Sequence, residues 1–372
     1  MKSMKYLTAT LGAMVLASAP VLAQKLPIAS ITPPTHTMAR EIHIPFADGV
    51  RKATNGKFDF QFFAAGALLP ALSIMQGVRD GVAIAGHVIP PYHPAEWPVN
   101  NLVGDMGWAA GNPLLLGSAY LDYAINDPTG AKEWRDNGSL PILTVATPLN
   151  HWLCRSVFRT LDDLKGKRIR SPGGGWARSA EALGVIPVNI PLTEAYTALE
   201  RGTVDCVLTD PVNLVTGLNL GILVKSVVAL PFQPGYNVAQ IALNVPFWRK
   251  ATVDERRILL NEANIAMARG SAAYHKETFE AIAASKAKGI VFVEPDGALK
   301  AAYDKWVADG FGGVAKYYKV ANPEKEMATF KGYLDKWAGL LKGVDGGNQA
   351  AIQAVLKANI FDKIDVNSYG MK

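Results

Sequence analysis

Residues 161–210 read LDDLKGKRIRSPGGGWARSAEALGVIPVNIPLTEAYTALERGTVDCVLTD, and the order of hydrophobic periods in this stretch decides the fold class. A charged linker, 162–167, gives way to a short β-type run at 168–171, followed at once by Gly173, Gly174 and Gly175. Residues 176–183 then have helical spacing, 187–190 read as a strand, 193–201 as a helix that Thr193 can cap, and 203–208 as another strand. Strand–helix–strand units of this length make parallel pairs with right-handed crossovers, and ligands collect at the carboxyl ends of such strands. Arg170 stands at such an end, beside glycines whose amides open a helix. Both attract anions, and the planar fork of a guanidinium suits a carboxylate. From position alone, an Arg170 paired with an acidic side chain and glycines that merely turn the chain explain the pattern equally well.

The same alternation precedes this stretch. Residues 26–30 read as a strand, 38–54 as a helix, Asn55-Gly56 as a turn, 57–63 as a Phe-rich strand, 69–79 as a helix and 81–89 as a small-residue strand. Strands at 142–147 and 152–157 lead into the second set. A strand at 236–244 and one long helix at 253–288 return the chain to the first. Beyond Pro295 the chain is helical at 297–309, 323–341 and 349–358, with Tyr317, Tyr318, Trp337 and Phe361 as packing anchors. The expected class is α/β in two lobes, with 24–147 and 238–300 forming lobe I, 148–237 lobe II, and 301–372 a C-terminal helical segment packing across them. Two crossings between lobes predict a hinge and an interlobe cleft.

Composition narrows the function. The 372 residues are 49% hydrophobic and 19% charged, with mean hydropathy +0.10, as in a folded globular chain of about two domains. The net charge of +6 includes two lysines of a leader at 1–23, in which Lys2 and Lys5 precede an uncharged apolar run ending Val21-Leu22-Ala23. The leader reads as a cleaved export signal, so the mature chain is expected to begin at Gln24 and work in a periplasm. No block of like charge suggests nucleic acid, and no later stretch suggests a membrane span. Cys154 and Cys206, both on strands of one lobe, are read as buried free thiols, with a single disulfide as the alternative. No metal or cofactor is expected: the six histidines show no ligand spacing, and the glycines at 310–313 follow a helix rather than the strand a dinucleotide turn needs. G-x-S-x-G, H-E-x-x-H, G-x-x-x-x-G-K-[ST] and C-x-x-C are all missing, and no enzyme activity is expected.

The run DLKGKRIR at 163–170, then ALG at 182–184 with Pro187, then EAYTALERGTVD at 194–205, resembles the solute receptors of tripartite ATP-independent periplasmic (TRAP) transporters, of the dicarboxylate-receptor-like family. FADGVRKATNG at 46–56, GVRDG at 77–81, YHPAEWP at 92–98, 244–248 and the ending at 361–371 are also similar to that family. The resemblance implies a type II periplasmic-binding-protein-like fold closing over a small organic acid, which is delivered to the membrane permease subunits. It also implies that Arg170 holds the carboxylate. Where sialate-binding members have a second arginine this chain has Asn150 or its neighbours, and where many members have an asparagine it runs from Asp205 to Thr209 and Asp210.

Lobe edges supply the remaining candidates. Trp176 could stack on the solute or pack under the surface. Tyr236 and Asn237 sit where the chain crosses back, and could bond the solute or shape the hinge. Thr35 and His36 after Pro33-Pro34, and His87 to Tyr92 at a strand end, would face the cleft, although His36 taken singly reads first as a helix-entry residue. The substrate-binding set expected is therefore Arg170, Trp176, Thr209, Asp210, Tyr236, Asn237, Asn150, His36, His87 and Tyr92. An ABC-type or sensor-linked receptor for another anion, or a periplasmic enzyme acting on organic acids, are the alternatives.

Overall fold

Strands in the computed structural model, which describes residues 24–109 and 111–371, gather into two sheets; the leader reading at 1–23 lies outside the described residues. In the first sheet the strands are β1 (Gln24–Ala29), β2 (Phe58–Phe63), β3 (Ala85–Val88) and β4 (Ser139–Leu143). The second holds β5 (Asn150–Cys154), β6 (Arg168–Ser171), β7 (Ile186–Asn189), β8 (Cys206–Thr209) and β9 (Ser226–Phe232). Strand β10 (Ala239–Asn244) returns to the first sheet and β11 (Val291–Val293) edges the second.

The orders are β2-β1-β3-β10-β4 and β11-β9-β5-β8-β6-β7. Taken from β7, the second sheet repeats the first: three parallel strands, then one antiparallel to both its neighbours. In each sheet that antiparallel strand, β10 or β5, is the one that has just crossed from the other lobe. These first two crossings are bonded to each other. Thr147 N–H donates to the Gly235 carbonyl at 3.0 Å, Gly235 N–H to Thr147 Oγ1 at 2.9 Å, and Thr144 Oγ1 to the Val238 carbonyl at 3.0 Å. Paired extended backbone of this kind can flex as a unit, which makes it a hinge.

Most elements follow the sequence reading closely. The long helix runs Val253–Ala287, with Thr252 and Glu255 closing a capping box. At about 1.5 Å per residue it is roughly 52 Å long, and it lies on the first lobe's core through Leu259, Leu260, Ala263 and Met267 before feeding β11 into the second sheet. Helix Gly297–Val314 packs Leu299 and Tyr303 into the second lobe, whereas helices Pro323–Leu340 and Gln349–Asn359 bury Phe330, Trp337, Ile352 and Leu356 in the first.

Several expectations are corrected. The span 238–300 does not stay in lobe I, because β11 joins the second sheet and Leu299 its core. The helix expected over 38–54 is broken: a wide π turn, Ala39–His43, precedes the helix Ile44–Ala53, because Pro45 has no N–H to donate back to residue 41. Thr193 caps nothing; it lies inside a 3-10 turn, Leu192–Glu194. Tyr317 is 61% exposed and anchors no core, while Trp337 and Phe361 are fully buried. Cys154 and Cys206 are not free thiols: they face each other across β5 and β8 with Cα atoms 4.0 Å apart and are disulfide-bonded. The antiparallel register that opposes them, across 52 residues of sequence, has no local sequence mark.

Candidate functional site

Between the lobes lies a cavity of about 90 Å³. The first lobe lines it with Ile31, Thr32, His36 and Met38, just beyond β1, and with His87, Ile89, Pro91 and Tyr92 at the end of β3. The crossings add Thr147, Asn150, Gly235 and Val238, and the second lobe adds Arg170, Pro172, Trp176, Leu192, Leu208, Thr209 and Asp210. The lobes touch across it, since the Tyr92 hydroxyl of the first lobe accepts from the Leu192 N–H of the second at 3.0 Å.

Arg170 sits in β6 between β7 and β8, only 3% exposed. Its Nε donates to the Ile190 carbonyl at 2.9 Å, Nη1 to the Leu208 carbonyl at 3.2 Å and Nη2 to the Tyr92 hydroxyl at 3.3 Å. A guanidinium has five N–H donors, so these bonds leave one on each terminal nitrogen, the pair that grips a carboxylate. Among the described residues no carboxylate lies within ion-pair distance of it, which removes the reading of Arg170 as half of a structural ion pair. Burial draws its pKa down, an effect partly offset by Tyr92 and Glu194, yet an arginine stays protonated in a protein. The cavity therefore holds a buried cation with no carboxylate in contact with it, and Glu194 acts on it only from beyond ion-pair distance.

The other polar walls are close to neutral. Burial, helped by His43 and Arg40, lowers His36 to about 3. Its Nδ1 accepts from the Met38 N–H at 3.1 Å, so its remaining proton lies on Nε2 as a donor. His87 is held well below its ordinary value by burial and by His43 and His36. Asp210 follows β8, and its oxygens accept from the Val212 N–H and the Asn213 amide, both at 3.1 Å. Burial nevertheless lifts its carboxyl to about 7, so it carries at most part of a charge at neutral pH. Thr209 Oγ1 accepts from the Asn213 amide at 3.0 Å.

Trp176 meets both readings made of it: its ring belongs to the second lobe's core and also lines the cavity. Its indole N–H and the Asn150 amide both donate to the Gln233 carbonyl in the crossing, at 3.0 and 2.9 Å, which ties this wall to the hinge.

Comparison with known proteins adds to this geometry. The model of the bacterial extracellular solute-binding protein family 7 matches residues 154–309. The chain resembles the family 7 solute receptors. A monocarboxylate 2-oxoacid-binding periplasmic protein of Nostoc is 28% identical over 173 residues, 43% of each chain. The chain spans about half the length of the curated relatives it matches, since a second, uncharacterised protein of Haemophilus influenzae is covered over 51% of its length. Among solved structures, a Bordetella pertussis extracytoplasmic solute receptor binding pyroglutamic acid has TM-score 0.73 at 19% identity, covering 83% of this chain and all of that one. A TRAP solute-binding protein of Rhodoferax ferrireducens in complex with benzoate has TM-score 0.73 at 18% identity, covering 85% of this chain and 99% of that one. At that identity the likeness fixes the fold, the two-lobed periplasmic-binding-protein-like architecture expected from the TRAP resemblance.

Set against the receptor reading, eight of the ten candidate side chains come together in the cavity: His36, His87, Tyr92, Asn150, Arg170, Trp176, Thr209 and Asp210. Tyr236 and Asn237 do not. The Tyr236 hydroxyl donates to the Val103 carbonyl at 2.6 Å and its ring stacks on Phe330, while the Asn237 amide reaches Asn100 and Asn101 at 3.4 Å. The crossing turns both side chains into the first lobe and presents Gly235 and Val238 to the cavity instead.

The glycine segment is also corrected. Gly173 N–H donates to Ser171 Oγ and Gly175 N–H to Asp105 Oδ1, at 3.0 and 2.9 Å, so these amides are spent within the protein and the anion at this helix N-terminus is Asp105. Sequence reasoning missed Thr32 and Thr147. Thr32 follows β1 at its carboxyl end, a place the strand-end rule could have flagged; Thr147 had no such signal.

Proposed function

We propose that this chain is the periplasmic solute receptor of a TRAP transporter, taking up one small organic acid between its lobes and handing it to the membrane permease. The observation that carries the reading is the buried Arg170 guanidinium, lining the interlobe cavity with two N–H donors unspent and, among the described residues, no carboxylate within ion-pair distance. A solute carboxylate would supply the missing charge through two parallel hydrogen bonds. The remaining walls are apolar or uncharged apart from Asp210, which is partly ionised near pH 7, and hold no second cation, so the favoured solute has a single negative charge and an uncharged body. Acids of that kind are named for the relatives: 2-oxoacids for the Nostoc protein, pyroglutamic acid and benzoate for the two structures. Binding, closure and release involve no covalent step in this reading.

The test is a thermal-shift panel on the chain from Gln24 onward, comparing 2-oxo, hydroxy and aromatic monocarboxylates with dicarboxylates, phosphonates, sugars and amino acids. A solute that binds only the folded state raises its midpoint. Stabilisation by monocarboxylates alone is the expected outcome; stabilisation only by sugars or phosphonates would overturn it.

A further inference from the structure

We propose that Asp105 is the clasp that holds the two lobes together over the cavity, acting on solute binding as a positioning residue that never touches the solute. The part that concerns binding rests on the receptor reading above; the clasp itself does not.

Asp105 ends the first-lobe helix Pro98–Gly104. Its side chain is buried and does not line the cavity. All three of its side-chain partners lie elsewhere in the fold. Oδ1 accepts from the Gly175 N–H at 2.9 Å, and Oδ2 accepts from the Tyr318 hydroxyl at 2.7 Å and from the Arg178 guanidinium. Gly175 and Arg178 belong to the second-lobe helix Gly174–Ala182. Tyr318 lies in the stretch that carries the chain from a helix packed on the second lobe to one packed on the first. One carboxylate thus joins the first lobe, the second lobe and the tail.

The glycines are shaped for this seat. Gly173 and Gly174 have φ of +103° and +57°, a region that favours glycine. A Cβ on Gly175 would stand 2.6 Å from Asp105 Oδ1. The run that looks like a cradle for a foreign anion is cut to admit a carboxylate of the other lobe, where the helix dipole also favours negative charge.

The clasp bears on binding because of what its helix carries. Trp176, a cavity wall, follows Gly175 directly, and Arg170 is the last residue but one of the strand that leads into the same turn. Parting the lobes would return Asp105 and Arg178 to water and exchange their mutual bonds for hydration. Such an exchange is close to balanced, as a latch that opens on every transport cycle requires.

The experiment compares wild type, Asp105→Asn and Gly175→Ala in the full mature chain. Small-angle scattering without added solute reads closure, and stopped-flow reads the dissociation of benzoate, pyroglutamate or pyruvate, whichever stabilises wild type most. Asp105→Asn removes the charge at constant shape, and Gly175→Ala keeps the charge but blocks the seat. Both are expected to enlarge the radius of gyration and to raise the dissociation rate by about tenfold, with association nearly unchanged and the folded circular dichroism spectrum retained. A merely structural role would move the unfolding midpoint without that split of rates. Unchanged scattering in both variants overturns the clasp, even if none of the three acids binds; failure of all acids to bind wild type weighs against the receptor reading alone. If Asp105→Asn does not fold, Gly175→Ala and Tyr318→Phe carry the same comparison.

Discussion

Replacing Arg170 by Met separates a binding arginine from a structural one. Met keeps much of the volume and removes the charge. Without solute, two effects of similar size oppose each other. The Ile190 and Leu208 carbonyls lose donors, at about 1–3 kcal/mol for each group left unpaired, while the desolvation of an unpaired cation, several kcal/mol in a buried site, is relieved. The unliganded midpoint is therefore expected to move by only a few degrees. With solute, the partner carboxylate is left buried and unpaired, a loss of about 2–5 kcal/mol, or about 30- to 4,000-fold in Kd. At 100 times the wild-type Kd, a solute stabilises by about 2.7 kcal/mol; a 30-fold weaker complex retains about 0.9 kcal/mol at the same concentration. Calorimetry and thermal shift on the same samples measure both quantities. Affinity within threefold of wild type would refute the anchor, and a collapse of the unliganded protein would show that Arg170 is structural after all.

Three further outcomes are expected. Closing a loop of 52 residues restricts the unfolded chain by about 4 kcal/mol in the loop-entropy account, so reduction, or Cys154→Ala with Cys206→Ala, should lower the urea midpoint; an unchanged midpoint contradicts the bridge. Asp210 holds its proton to about 7 when folded, against 3.8 otherwise. That raised value stabilises the fold fully below about pH 4 and is lost as pH rises through 7, so the advantage of wild type over Asp210→Asn should shrink between about pH 4 and pH 7 and level off above that. His36 and His43 have folded values of about 3 and about 4, and His87 is also depressed. Their unfolded forms take up protons below about pH 6.5 and the folded forms do not, so the fold should lose stability as pH falls from 6.5 toward 4, partly offset by Asp210; a flat acid limb in urea titrations contradicts it.

The architecture was legible because its units are local. Alternating β and helical periods placed the strand Arg168–Ser171 and the helices Val253–Ala287 and Pro323–Leu340 within a residue or so of their observed ends. Arg170 was legible through a rule about strand ends. The reading passed over some local elements too, the helices Pro98–Gly104, Pro113–Asn126 and Pro128–Asp136 and strand β9; the rest of what escaped depends on contacts far apart in sequence. The disulfide needs the register of β5 on β8, and the direction of Tyr236 and Asn237 needs the first lobe that they fill. Asp105 follows a helix with no motif around it, and its partner helix lies 70 residues on. The three glycines were seen and their anion misassigned, since sequence shows a helix N-terminus ready for negative charge but not which charge arrives.

The central claim, that the cavity holds an acid by its carboxylate, is tested most directly by a crystal structure of the mature chain grown with the monocarboxylate that stabilises it most. The account predicts the solute between the lobes, with its two carboxylate oxygens about 3 Å from the terminal nitrogens of Arg170 and its uncharged body against Trp176. A solute outside this cavity, or one whose carboxylate points away from Arg170, would contradict it.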